Sequence, residues 1–152
     1  MREPENIRDV AELKPDLMGF IFFPHSPRYA GHILNQDVLA ELPEKIRKTG
    51  VFVNEDIETI TGIVRKYSLD IVQLHGNETQ DQCRKLREKG IPVIKAFSIK
   101  DSNSLRLCYE YQSSTDYFLF DTSTPKYGGS GNKFDWKILD EYKLGHPFIL
   151  SG

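Results

Sequence analysis

Cysteine is scarce in this chain. Only Cys83 and Cys108 occur among 152 residues, and neither stands in a metal-ligand spacing. That excludes a disulfide-built scaffold and a cysteine metal cluster, and leaves two reduced, partly buried thiols as the expectation. The four histidines, His25, His32, His75 and His146, are scattered and form no ligand pair. Charge of one sign is also missing: the formal net charge is -2 and no basic block stands out, which argues against nucleic acid or an anionic membrane as the main partner. No apolar run is long enough to span a bilayer. The opening "MREPENIRDV" is charged and has no signal-peptide core, so the expected location is the cytoplasm. There is no low-complexity tract, linker or composition break, and residues 1–152 read as one domain.

What is present is an alternation. A first helix, "PENIRDVAELK", is followed by the strand "DLMGFIFF" and the helix "NQDVLAELPEKIRK". Next come the strand "TGVFVN", the helix "EDIETITGIVRKYS" with its acidic first turn, and the strand "DIVQLHG". The helix "NETQDQCRKLREKG" ends on Gly90 and leads to the strand "IPVIKAFSI". The helix "SNSLRLCYEYQ", the strand "DYFLFDT", the helix "FDWKILDEYKLG" and the strand "HPFILSG" complete the series. Short strands rich in Val, Ile and Phe suit a parallel sheet covered on both faces, and strand–helix alternation means βαβ units. Six such strands fit an open doubly wound sheet or part of a (β/α)8 barrel, which needs about 200 residues. Asn54, His75 and Asp121 each fall at a strand's carboxyl end, and Lys95 and Ser151 lie close to one. This even spread favours the barrel, where all strand ends share one mouth.

Several residues carry chemistry. Asp121 ends an apolar strand and precedes "STPKYGGSGNKFDW", so it reads either as a turn-capping carboxylate or as a general acid at the mouth. Gly128, Gly129 and Gly131 in that loop permit close backbone approach to a phosphate, or simply make a turn. Arg28 in "FFPHSPRYAG" could grip a carboxylate, or stand solvated. Gln73 and His75 share one face of their strand by period two. Lys95 interrupts the apolar strand "VIKAF", a costly place unless it reaches the mouth or a carboxylate. It is expected to be an active-site cation or a structural ion-pair partner.

Taken in order, "GFIFFPHSPRY", "TGVFVN", "VQLHG", "VIKAF", "FDTSTPKYGGSGNKFDW" and "FILSG" resemble the phosphoribosylanthranilate isomerases of tryptophan biosynthesis over nearly the whole chain. The resemblance implies a (β/α)8 TIM barrel. It also implies an Amadori rearrangement of N-(5-phosphoribosyl)anthranilate to 1-(2-carboxyphenylamino)-1-deoxyribulose 5-phosphate, with no metal or organic cofactor. By motif match, the family's acid falls on Asp121 and its anthranilate-binding arginine on Arg28. His75, Gly128, Gly129, Ser151 and Gly152 fall among substrate contacts, the last two in the phosphate grip. The family's catalytic cysteine lies in a first-strand motif ahead of a segment like this chain's "REPENI", and Cys83 and Cys108 match helix positions instead. The expectation is therefore an incomplete barrel of about six strands, without the first strand and the eighth unit, and inactive alone. Two alternatives accompany this one. One is a non-catalytic α/β module that self-associates through open edge strands. The other is a different phosphate-binding barrel, similar to indole-glycerol phosphate synthase, whose pattern "FDTSTPKYGGSG" does not match.

Overall fold

The computed structural model describes residues 1–122 and 136–151. The strands are β1 (Leu17–Ile21), β2 (Arg47–Phe52), β3 (Ile71–Leu74), β4 (Val93–Ile99), β5 (Tyr117–Thr122) and β6 (Phe148–Leu150). The helices are α1 (Pro4–Glu12), α2 (Gln36–Ala40), α3 (Ile57–Tyr67), α4 (Gln80–Glu88) and α5 (Ser102–Leu107), with 3-10 turns at Cys108–Tyr111 and Trp136–Glu141. All six strands form one parallel sheet in the order β1-β2-β3-β4-β5-β6. Strand order equals chain order, with no reversal. That is the arrangement of a TIM barrel, here a half-barrel, and not of a doubly wound sheet, whose order turns back at a switch point.

Register and burial separate the two faces. Met18, Phe20, Phe52, Val72, Leu74 and Val93 pack against the helices, as do Phe118 and Phe120 toward α5 and the turn after it. The alternate residues Ile71, Ile94, Ala96 and Leu119 make a separate inner cluster with Leu17, Tyr117 and Ile149. Successive strand side chains point to opposite faces, so Gln73, His75, Ser98, Asp121 and Ser151 share the inner face and Lys95 belongs to the helix face.

Local signals explain the helix limits. Asp56 and Thr79 cap α3 and α4 by accepting N–H groups from Thr59 and Gln82, the latter in a reciprocal capping box. Gly90 takes φ +78°, the left-handed turn that ends α4's segment. Two expectations need correction. The helix expected over 35–48 stops at Ala40, because Pro43 lacks an N–H and disfavours helical backbone before it; β2 consequently begins at Arg47, within that expected helix. The single helix expected over 102–112 divides into α5 and a 3-10 turn, and the described part of the one expected over 134–145 is a 3-10 turn.

Candidate active site

His75 immediately follows β3, and Asp121 is the penultimate residue of β5. Both stand at the carboxyl rim of the inner face. His75 Nε2 lies 3.4 Å from Asp121 Oδ2, each side chain 29% exposed. The intervening strand carries Ala96 at the level of His75, and its methyl leaves the imidazole room to reach across. On its other side the ring meets Gln73, whose Nε2 lies 2.8 Å from His75 Nδ1. With the Gln73 amide donating to Nδ1, the ring proton sits on Nε2 and faces Asp121. Burial holds the His75 pKa below its ordinary value; the charge of Asp121 opposes that shift, and Lys95 adds to it. The site is therefore a neutral imidazole donating toward a carboxyl group at a partly open rim.

Lys95 is not at the mouth. Its strand runs to Ile99, so it lies mid-strand, and its side chain is on the helix face, 3.1 Å from Glu78 Oε2. Both side chains are almost fully buried, at 4% and 1% exposure. Of the two expected roles, the structure realises the ion-pair one. Glu78 itself escaped the sequence reading. The available signal was Lys95: a lysine in an apolar strand needs a carboxylate, and the loop after the neighbouring strand offers one.

Arg28 is exposed in the loop after β1, where its N–H donates to Ser26 Oγ at 3.1 Å. No described contact joins it to Asp121. That loop folds back on β1 through the Ala30 N–H to Ile21 O bond of 2.8 Å. The Ser151 N–H donates to Phe120 O at 2.9 Å, which sets Ser151 beside Asp121 at the same rim. Gly128, Gly129, Gly131 and Gly152 lie outside the described residues. A cavity of about 640 Å³ lies in the helix layer, lined by Asp56 and Ile57 of the α3 start and Gln82 and Lys85 of α4. It is open, mixed in charge and on the other side of the sheet from His75 and Asp121. Cys83 and Cys108 are free and buried, and burial pushes their thiols up to about 11 and about 12. Among the described residues no His, Cys, Asp and Glu side chains gather as a metal site, and no helix is long and apolar enough to cross a membrane.

The family model for N-(5'-phosphoribosyl)anthranilate isomerase matches residues 1–152. The isomerase of Phocaeicola vulgatus is 49% identical over 152 residues, covering 100% of this chain and 72% of that protein. The crystal structure of the isomerase from Thermotoga maritima superposes with a TM-score of 0.83 at 33% identity, covering 100% of this chain and 73% of that one. A third structure, an isomerase in complex with reduced 1-(o-carboxyphenylamino)-1-deoxyribulose 5-phosphate, has a TM-score of 0.77 at 28% identity over 99% of this chain and 71% of that one. The chain thus spans about seven-tenths of these relatives' length. An unreversed parallel sheet, a polar pair at its carboxyl rim and a match from first residue to last agree: the chain belongs to the N-(5'-phosphoribosyl)anthranilate isomerase family, isomerases of tryptophan biosynthesis.

Proposed function

We propose that Asp121 is the proton donor of this chain's isomerase chemistry and that His75 is its partner. The substrate is N-(5-phosphoribosyl)anthranilate, an aminoaldose closed as a furanose. A proton delivered to the ring oxygen lets the C1–O bond break, and the nitrogen lone pair forms the C1–N double bond. Loss of the C2 proton gives an enamine-enol, which settles as the C2 ketone of 1-(2-carboxyphenylamino)-1-deoxyribulose 5-phosphate. One proton enters and one leaves, and no oxidant is needed. His75 Nε2–H is directed at Oδ2, so the other carboxyl oxygen of Asp121 is the one that passes the proton to the ring oxygen. The C2 proton goes to a base that neither Cys83 nor Cys108 supplies, because both thiols are buried and protonated at neutral pH.

Arg28 receives the anthranilate carboxylate, and Ser151 and Gly152 take the phosphate with help from Gly128 and Gly129. The two free thiols suit a reducing, cytoplasmic setting. The chain also pairs with a second copy along the sheet edge that no described strand covers. The observation that carries the reading is the His75–Asp121 contact at the rim where barrel enzymes hold their chemistry.

The test pairs turnover with binding. With no base for the C2 proton identified among the described residues, the 152-residue chain should turn substrate over slowly or not at all. Any turnover it shows should fall by about 10²–10⁴-fold in Asp121→Asn, the usual contribution of a general acid. Asp121→Asn should still bind reduced 1-(o-carboxyphenylamino)-1-deoxyribulose 5-phosphate, while Arg28→Ala should bind that compound more weakly in calorimetry. Undiminished turnover by Asp121→Asn, or no binding by the unmodified chain, overturns the assignment.

A further inference from the structure

We propose that the buried Glu78–Lys95 pair is a clamp that fixes the backbone on both sides of His75 and so holds its imidazole against Asp121. The proposal rests on the reading of His75 and Asp121 given above and deepens it. Lys95 Nζ donates to Leu74 O at 3.3 Å and to Gly76 O at 2.8 Å, the carbonyls of the residues just before and just after His75. A third bond goes to Ala96 O at 3.0 Å, in the strand that His75 must cross. Glu78 holds the complementary groups. Its Oε1 accepts the Asn54 N–H at 2.8 Å, and its two oxygens accept the Gly76 N–H at 3.1 and 2.9 Å. The His75 N–H donates to Phe52 O at 2.8 Å. The carbonyl before His75, its own N–H, and both polar groups of Gly76 thus have fixed partners.

The charge of this pair is not explained by packing. Burying two charges costs desolvation, and apolar residues of similar size usually fill such a space as well or better. Apolar residues could not hold three carbonyls and two amides. The pair also sits on the helix face, opposite the imidazole, so it touches no ligand at the inner rim. Glu78 and Lys95 are positioning residues that act through His75. A second tie strengthens the clamp: Asn54 sits at φ +52° at the end of its strand segment, and its Oδ1 accepts the Asn77 N–H at 2.6 Å, joining the β2 end to the same loop.

The test is the electrostatic coupling between His75 and Asp121, read by NMR titration of the His75 imidazole in the 152-residue chain. The ring contacts Asp121 from β5 and Gln73 from β3, and the charges of Lys95 from β4 and Glu78 from the loop after β3 act on it from the other face of the sheet. In the otherwise unmodified chain, Asp121→Asn should lower the His75 titration by roughly one pH unit, the scale for losing an opposite charge this near. In a Lys95→Met background most of that shift should vanish. A charge effect alone behaves differently: Lys95→Met would raise the His75 titration and leave the Asp121 shift whole, and that result overturns the clamp. Glu78→Gln, which keeps the side chain's shape, is run through the same cycle in case Lys95→Met does not fold. Hydrogen exchange on the unmodified chain is a further check, with the His75 and Gly76 amides expected to be as protected as those inside β3 and β4; rapid exchange at these two overturns the clamp as well. No step of the test reads turnover. Full activity in Asp121→Asn would therefore remove Asp121 as the acid without touching the coupling result.

Discussion

An imidazole held neutral by burial is a pH-dependent element of stability. His75 and His146 both have pKa values lowered from the ordinary 6.5, in each case first by burial. His146 packs its ring 4.2 Å from that of Phe118 and pairs with Thr115 Oγ1 at 3.2 Å. Between the lowered folded values and the ordinary one, the unfolded chain binds more protons than the folded chain. Stability contributed by these groups is therefore fully present above the ordinary histidine pKa and is lost as pH falls through the folded values. Urea midpoints should drop between about pH 8 and about pH 5.5, and His75→Asn should flatten part of that slope; an unchanged slope would sink the assignment. At this scale the sequence was readable where geometry is local. Period two placed Gln73 and His75 on one face, and a strand end placed Asp121 at the rim. Lys95 was only half readable, because its face depends on register and its partner Glu78 is distant in sequence. A loop carboxylate in "HGNET" looks solvated until the sheet and helix layer close over it.

Among the elements, the segment from β3 to α4 carries the most constraint in the fewest residues. Gly76 is required there by space. A Cβ at that position would stand 2.8 Å from the backbone nitrogen of Asn54, closer than real side chains approach, and also against the Asn54 amide oxygen. Neither neighbour can withdraw, since Asn54 N–H is bound to Glu78 and Asn54 Oδ1 to Asn77 N–H. Gly76→Ala should cost about 1–3 kcal/mol, the range for overpacking a closed site, measured as a shift in denaturant midpoint. A midpoint within error of the unmodified chain would show the loop to be softer than its hydrogen bonds imply. The Gly90 stop was visible in "EKGIP" because capping is a local code, whereas the α4 start at the Thr79 capping box lies three residues inside the segment read as helix. The end of α2 was just as local, marked by Pro43, and was passed over; the limit of the segment after α5 was not readable, because tertiary packing against β4 and β5 competes there with helix propensity.

For the whole molecule, strand order was the readable feature and edge behaviour is its consequence. Strand–helix alternation with polar residues at successive strand ends implied a barrel order, and all six described strands obey it. Among the described residues no strand pairs with the outer side of β1 or β6. The β1 side is partly covered, because the amino terminus donates to Gly19 O at 3.2 Å and Ile21 bridges to Tyr29. β6 is barer. Its Phe148 and Leu150 continue the apolar face of Phe118 and Phe120, yet they are 39% and 43% exposed. Open backbone and exposed apolar side chains on one short strand together favour pairing with another copy. The chain should therefore show a mass in light scattering that rises with concentration. Replacing Phe148 and Leu150 with lysine should return it to the monomer mass, because charge on an edge strand opposes pairing while leaving the inward Ile149 contact with Leu119 in place. A constant monomer mass for the unmodified chain across concentrations would show that β6 is already covered in solution and would remove edge pairing as a property of this molecule.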